Sequence, residues 1–136
     1  MLVGVPDPPV KIRGGARAGE RVTLGRRIAE VTTLLDVDPI EAFGYLHNGA
    51  FVLESLPAAL WCFLTRCEDP EAVIVTAVAG GRDADTVAAM AGSLAGAYHG
   101  ESALPSRWVD DLEDPHPWRT LMRCLGCNVT SPARSA

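Results

Sequence analysis

Two carboxylates and a hydroxyl lie within four residues of one another, one residue after a pair of glycines. They belong to Asp83, Asp85 and Thr86. Oxygen atoms of this kind are the ligands that Mg²⁺ prefers in proteins, so the group predicts a hard-metal site if the three side chains converge. The alternative is helix capping, because an N-terminal Asp accepts a backbone N–H and acidic residues suit the positive end of a helix dipole.

The segments ahead of this cluster have the periodicity of helices. Apolar residues recur every three or four positions over 23–35, which predicts a first helix. Asp38 followed by Pro39 predicts the start of a second helix, since Asp is a favoured N-cap and Pro a favoured first residue. This second helix is expected to end near residues 48–49, where the chain reads Asn-Gly.

Two further apolar segments complete the part of the chain before the cluster. A third helix is expected to start at Ser55 and Pro57 and to stop before residues 69–70, with Trp61 in the core. A fourth helix is expected over residues 71–78. The β-branched residues of this fourth segment also allow a strand, but its helical neighbours favour a helix.

The cluster opens the most regular helix, which is predicted to run to residue 99. Its apolar face consists of Val87, Met90, Ala91, Leu94 and Tyr98. A second face of small residues, which would let another helix approach closely, consists of Ala88, Gly92 and Gly96. We expect the small face to lie against the helix at 57–64. Pro105 predicts a short helix through Leu112, and a last turn is expected around residues 121–122. The predicted fold class is all-α.

Composition excludes several classes of function for the 136 residues. Twelve basic and seventeen acidic residues give a net charge of −5, which argues against a nucleic-acid grip. No apolar run approaches the roughly 18 residues of a membrane helix, and the first residues do not have the pattern of a signal peptide. The four cysteines are therefore expected to be thiols in a cytoplasmic protein, and the role of Cys124 and Cys127 stays open.

Residues 77–100 resemble the C-terminal metal motif of the ADP-ribosylglycohydrolase family. The segment reads Ala-Val-Ala-Gly-Gly-Arg-Asp-Ala-Asp-Thr-Val-Ala-Ala-Met-Ala-Gly-Ser-Leu-Ala-Gly-Ala-Tyr-His-Gly. The likeness extends to residues 54–60 before it and 101–108 after it, and covers about residues 50–113. It implies an all-α fold with a binuclear Mg²⁺ centre, with Mn²⁺ as another possible ion, and hydrolysis of the bond between ADP-ribose and an acceptor.

The resemblance also implies roles for individual residues. Asp83 and Asp85 match the carboxylate ligands of the motif, and Thr86 matches its hydroxyl ligand. Arg82 stands where many relatives have a small residue, and its charge could contact a phosphate of the substrate. His99 ends the helix, where either a capping role or a substrate contact is open. The expected partner is ADP-ribose or an ADP-ribosylated protein, and neither a nucleic acid nor a membrane is expected.

Other parts of the family pattern are not found in the chain. Its Gly-rich opening motif, its Thr-Asp-Asp-Thr metal motif and its acid–base carboxylate have no counterpart here, so the catalytic acid–base residue is unknown and is expected in a missing N-terminal half. We therefore expect a flexible lead-in at 1–22, the C-terminal half of the helical domain at 23–128 and a disordered tail at 129–136. A natural truncation, a split protein and a sequence fragment all stay open.

Two alternatives to a hydrolase follow from this partial match. The chain could be an inactive module that binds ADP-ribose without turnover, or a helical interaction domain in which the acidic cluster is only a cap. Because the missing half would have covered apolar helix faces such as that of the Trp61 helix, we expect the isolated chain to expose a large apolar patch and to tend to self-associate.

Overall fold

The structure, a computed structural model, describes residues 22–110, and all its regular elements there are helical. In chain order they are α1 (Leu24–Val31), a 3₁₀ turn (Thr32–Leu34), α2 (Pro39–Leu46), α3 (Val52–Thr65), α4 (Pro70–Ala79), α5 (Ala84–His99), a second 3₁₀ turn (Glu101–Ala103) and α6 (Ser106–Asp110). This confirms the all-α prediction, including a helix rather than a strand in the fourth segment.

Capping residues set three of the helix starts, and at α1 the hydroxyl of Thr23 accepts from the N–H of Arg26 at 3.3 Å. Asp38 accepts a hydrogen bond from the backbone N–H of Ile40 at 2.9 Å, and Pro39 opens α2 as predicted. The carboxylate of Asp69 accepts from the N–H of Ala72 at 3.1 Å at the start of α4. Each bond satisfies one of the N–H groups that a helix leaves free at its first turn.

Helix α3 begins earlier than predicted. It starts at Val52, so Pro57 lies in its interior rather than at its first turn. A proline there cannot donate to the carbonyl of Leu53, four residues before it. The guanidinium of Arg27 takes that place, because its Nε donates to the Leu53 carbonyl at 2.9 Å. The prediction from Ser55 and Pro57 was wrong because this replacement donor comes from another helix.

The core is built around α3, which contacts α1, α2, α4 and α5. Trp61 is buried as predicted, and its indole N–H donates to the carbonyl of Leu34 at 2.7 Å. Its ring meets Phe43 edge-on, with centroids 5.5 Å apart. The rest of the core consists largely of small and branched residues, namely Val31, Ala42, Leu46, Ala58, Ala59, Cys62, Val73, Ala77, Val87, Ala91 and Ala95.

Helix α5 packs against α4 and α3 through a stripe of residues that coincides only in part with the predicted apolar face. Its fully buried residues are Val87, Ala91 and Ala95, and Tyr98 of the predicted apolar face is exposed. A Cβ atom on Gly92 would lie 3.5 Å from Ile74 of α4, and one on Gly96 would meet nothing within 4 Å. The small face therefore does not lie against α3 as predicted, since Gly92 faces α4 and Gly96 faces open space.

The exposed apolar side chains lie mainly away from Trp61. The central turns of α3 are buried within the chain, which corrects the expectation that the face carrying Trp61 would be open. Large apolar side chains are exposed instead at Ile40, Phe51, Val52, Leu64, Val75, Val78 and Tyr98. Among residues 22–110, no helix is both long and apolar enough to cross a membrane.

Cys62 and Cys67 are free thiols, as expected. Several other predictions lie outside the described residues. They are the lead-in except for Val22, the end of the short helix at Leu112, the turn at residues 121–122, the pair Cys124 and Cys127, and the tail at 129–136.

Candidate functional site

The acidic cluster lies where the chain passes from α4 into α5. Gly80 ends α4, and Gly81 follows in the left-handed region with φ 65°. Asp83 occupies the N-cap position of α5, and Asp85 and Thr86 lie in its first turn. The short connection thus places the predicted ligands at one helix end, which is the position that the sequence indicated.

Asp83 does not act as a helix cap. Its side chain makes no hydrogen bond to the first turn of α5. Its Oδ2 atom is buried and has no hydrogen-bond partner among the residues that the structure describes. A buried oxygen without a hydrogen-bond partner destabilises the fold, because burial removes its hydrogen bonds to water and no protein group replaces them. The capping alternative therefore does not account for this carboxylate.

Asp85 is exposed, and its carboxyl lies within hydrogen-bonding reach of the Asp83 side chain. The backbone N–H of Thr86 and, next, the Asp83 side chain hold the pKa of Asp85 below its usual range. A carboxyl with a lowered pKa is ionised at neutral pH. Two carboxylates held side by side repel each other unless a proton or a cation lies between them.

The oxygen donors of Asp83, Asp85 and Thr86 suit a small hard cation such as Mg²⁺. The unpartnered Oδ2 of Asp83 is the observation in favour of that fit. Within residues 22–110, no three His, Cys, Asp or Glu side chains form a group that could hold a metal ion. The described part of the chain thus supplies two carboxylates and an adjacent hydroxyl.

Arg82, the first of the two predicted substrate contacts, directly precedes Asp83. Its backbone is left-handed, with φ 57°, an uncommon conformation for a residue other than glycine. Its side chain is exposed, and no hydrogen bond or ion pair joins it to the other described residues. Arg82 is therefore placed beside the acidic cluster with its guanidinium accessible to solvent.

His99, the second predicted substrate contact, is not brought to the cluster. It ends α5, at the opposite end from Asp83, and fifteen helical rises of about 1.5 Å separate it from Ala84, the first residue of the helix. One of its ring nitrogens lies 2.5 Å from the carbonyl of Cys67. Its ring also packs edge-on against Tyr98. The contact with Cys67 joins the end of α5 to the connection that follows α3.

Sequence reasoning missed Asn48, which lies beneath the cluster. Its side chain is buried, and its amide donates to the carbonyls of Gly80 and Gly81 at 3.0 and 2.9 Å. The backbone carbonyl of Asn48 accepts a hydrogen bond from the N–H of Asp83 at 3.4 Å. No local pattern could reveal this role, because the partners are more than thirty positions away along the chain.

Comparison with known proteins shows the family to which the chain belongs. The family model described as ADP-ribosylglycohydrolase matches residues 10–130. The ADP-ribosylhydrolase ARH3 of Mus musculus is 36% identical over 101 residues, which cover 64% of this chain and 27% of that protein. The Homo sapiens ARH3 is 35% identical over 99 residues, covering 65% and 27%.

A bacterial relative matches a shorter stretch. The ADP-ribosylarginine hydrolase Tri1 of Serratia proteamaculans is 36% identical over 67 residues, which cover 49% of this chain and 18% of that protein. No solved structure gives a significant match. The chain spans about a quarter of the length of the ARH3 relatives it matches. Because the family model covers most of its length, the chain belongs to the ADP-ribosylglycohydrolase family.

Proposed function

We propose that the chain carries the metal-binding part of a Mg²⁺-dependent hydrolase that cleaves the glycosidic bond between ADP-ribose and an acceptor. The observation that carries this proposal is the buried, unpartnered Oδ2 of Asp83 beside the Asp85 carboxylate. It lies in the stretch that resembles the metal motif of the family. Without a cation, this arrangement leaves one buried oxygen without a hydrogen-bond partner among the described residues.

The roles of the chain's own residues follow from their positions. Asp83 would supply one carboxylate oxygen, Oδ2, that is already buried, so this atom loses little hydration when a cation binds. Asp85 is ionised at neutral pH and faces solvent, where an incoming ion arrives. Thr86 would add a neutral hydroxyl. The chemistry supplied by bound Mg²⁺ would be orientation of the ribose hydroxyls and polarisation of a water molecule.

Arg82 is the candidate contact to the phosphates of the substrate. Its guanidinium carries a fixed positive charge, which forms charge-assisted hydrogen bonds with phosphate oxygens. Arg82 directly precedes Asp83, so a sugar bound at the acidic cluster would have its diphosphate within reach of this side chain. His99 stays an untested candidate, and its position at the far end of α5 gives it no part in this proposal.

The substrate class rests on the names of the relatives. They are an ADP-ribosylhydrolase and an ADP-ribosylarginine hydrolase, so ADP-ribose joined to a protein side chain is the proposed substrate. Cleavage of such a bond passes through a transition state with oxocarbenium character and needs an acid–base group. We place that group, together with the remaining metal ligands, on a complementary portion of the family fold, corresponding to the part of the relatives that this chain does not match.

The test is a complementation assay. The chain of 136 residues is mixed with Mg²⁺ and an ADP-ribosylated peptide, with and without the N-terminal portion of the Mus musculus relative, and the released ADP-ribose is measured. Arginine-linked and serine-linked peptides are compared to identify the acceptor. We expect little or no release by the chain alone and release in the mixture, because misplaced or missing catalytic groups cost orders of magnitude in rate.

Two variants make the assay specific. Asp83→Ala should abolish release in the mixture, and Asp69→Ala, which removes an acid from another helix start, should leave it unchanged per folded molecule. Release by the chain alone would contradict the need for a complementary portion. Binding of ADP-ribose without release in any arm would favour the inactive binding module, and neither binding nor release would favour a helical interaction domain.

A further inference from the structure

We propose that Asn48 is a positioning residue for the acidic cluster. It holds residues 80–83 in the one shape that brings Asp83 and Asp85 together. This inference rests on the proposed function, since it assumes that the two carboxylates bind a cation. Asn48 itself is buried and touches the backbone of the connection between α4 and α5, and none of its contacts is to a side chain of the cluster.

The geometry shows two kinds of attachment. The side-chain amide of Asn48 donates to the carbonyls of Gly80 and Gly81, at 3.0 and 2.9 Å. Its backbone carbonyl accepts from the N–H of Asp83 at 3.4 Å. The connection is therefore held at three of its four residues by a single residue of the segment between α2 and α3. Arg82, the fourth, is left free and takes the left-handed conformation that completes the turn.

The attachment requires an asparagine. Two adjacent carbonyls need two N–H donors from one short side chain, and a primary amide provides both. An aspartate of the same shape would present oxygens to oxygens, and a serine has a single donor.

The hydrogen bonds of Asn48 also depend on the absence of a side chain at Gly80. A Cβ atom there would come within 2.8 Å of two ring carbons of Phe43 and 3.1 Å of Nδ2 of Asn48. Any side chain at this position would have to displace the Phe43 ring or the amide of Asn48. Gly80→Ala should therefore disturb the same attachment from the opposite side, without removing any hydrogen-bonding group.

The experiment measures ion binding and backbone opening in the same sample. The ¹⁵N-labelled chain is titrated with Mn²⁺, which accepts the same oxygen ligands as Mg²⁺ and broadens nearby amide signals. Amide hydrogen exchange is recorded without metal. The samples are the unsubstituted chain, Asn48→Ala, Gly80→Ala and the control Asp69→Ala, which removes a side chain-to-backbone hydrogen bond at another helix start.

We expect both test variants to weaken Mn²⁺ binding by about 10–100-fold, the usual effect of removing a group that orients a metal ligand. Exchange of the Gly81 and Asp83 amides should accelerate in these variants, while Asp69→Ala keeps the affinity and changes exchange only at the start of α4. If Asn48→Ala does not fold, Gly80→Ala carries the test.

Affinity within twofold of the unsubstituted chain in a folded Asn48→Ala variant would overturn the proposal. So would an equal loss in Asp69→Ala, since the effect would then be one of general stability. A lack of Mn²⁺ binding by the unsubstituted chain, both alone and mixed with the N-terminal portion of the Mus musculus relative, would overturn the proposed metal site instead. Hydrogen exchange would then decide the role of Asn48 separately, with selective acceleration at Gly81 and Asp83 in its favour and uniform acceleration against it.

Discussion

The starts of α4 and α5 carry the same residue type in the same position, and use it differently. Asp69 caps α4, with φ −129° and ψ 98°, and its carboxylate accepts the N–H of Ala72. Asp83 precedes α5 with φ −88° and ψ 53°, makes no capping bond and has a buried oxygen without a partner. The comparison teaches that an aspartate before a helix stabilises it only when the backbone directs the carboxylate onto the first turn.

The surroundings of the two aspartates explain the difference. Asp69 is exposed and followed by Pro70, so its carboxylate is free to turn onto the helix. Asp83 follows a connection that is hydrogen-bonded to Asn48, and its carboxyl lies beside that of Asp85 without bonding to the backbone of the first turn of α5. We infer that the first serves folding and that the second is available for a ligand.

The largest effect expected from this comparison is on metal binding. Mg²⁺ should raise the midpoint of thermal unfolding of the chain, because a ligand that binds only the folded state stabilises it. Asp83→Ala should weaken the apparent affinity by at least about 10–100-fold, since loss of a ligand costs no less than loss of a group that orients it. Asp69→Ala should retain the Mg²⁺ effect. An equal response in both variants would remove the distinction between the two helix starts.

The next effect concerns the packing of α4 against α5, the two helices that follow these aspartates. Gly92→Leu should overpack Ile74 and cost about 1–3 kcal/mol of unfolding free energy relative to Gly96→Leu. Both variants gain the same helix propensity, and Gly96 faces open space, so their difference isolates the overpacking. Urea unfolding measures it. Equal stabilities would contradict the packing of Gly92 on α4.

The third prediction concerns the stability of the chain without metal. Here Asp69→Ala is the variant expected to have an effect, whereas in the first prediction it was Asp83→Ala. Asp69→Ala should lower the free energy of unfolding by about 1 kcal/mol, the usual cost of a lost N-cap, and Asp69→Asn should keep most of it. Asp83→Ala should cost nothing or stabilise the chain, since it removes a buried oxygen that has no hydrogen-bond partner among the described residues. A loss with Asp83→Ala as large as with Asp69→Ala would restore the capping interpretation.

The smallest expected effect concerns the thiol of Cys62, which is buried in the core and lies away from both helix starts. Burial raises the pKa of the Cys62 thiol from 9.0 to about 12. The unfolded thiol ionises near pH 9 and the folded one only near pH 12, so this contribution to stability is present below pH 9 and is lost as pH rises toward 12. Peptide mapping after alkylation at pH 8 should show Cys67 labelled well before Cys62. Equal labelling would contradict the burial of Cys62.

Local patterns predicted most of the helices, and the exceptions have long-range causes. Asp38 with Pro39 and the periodicity of residues 84–99 act within a few positions, so the starts and lengths of α2 and α5 followed from them. The start of α3 did not, because Pro57 is accommodated by Arg27 from α1. The partner of Gly92 was also wrong, since spacing identifies a small face without saying which helix covers it.

The sequence by itself determined the all-α fold, the family and the place of the acidic cluster at a helix start. These properties depend on residue type and spacing over short distances, which a single chain displays directly. Only the tertiary structure decided that Asp69 caps its helix and Asp83 does not, that Asn48 holds the connection beneath Asp83, and that His99 lies at the far end of α5. The physical reason is that burial and hydrogen-bond partnership depend on groups tens of residues apart, which meet only when the helices have packed.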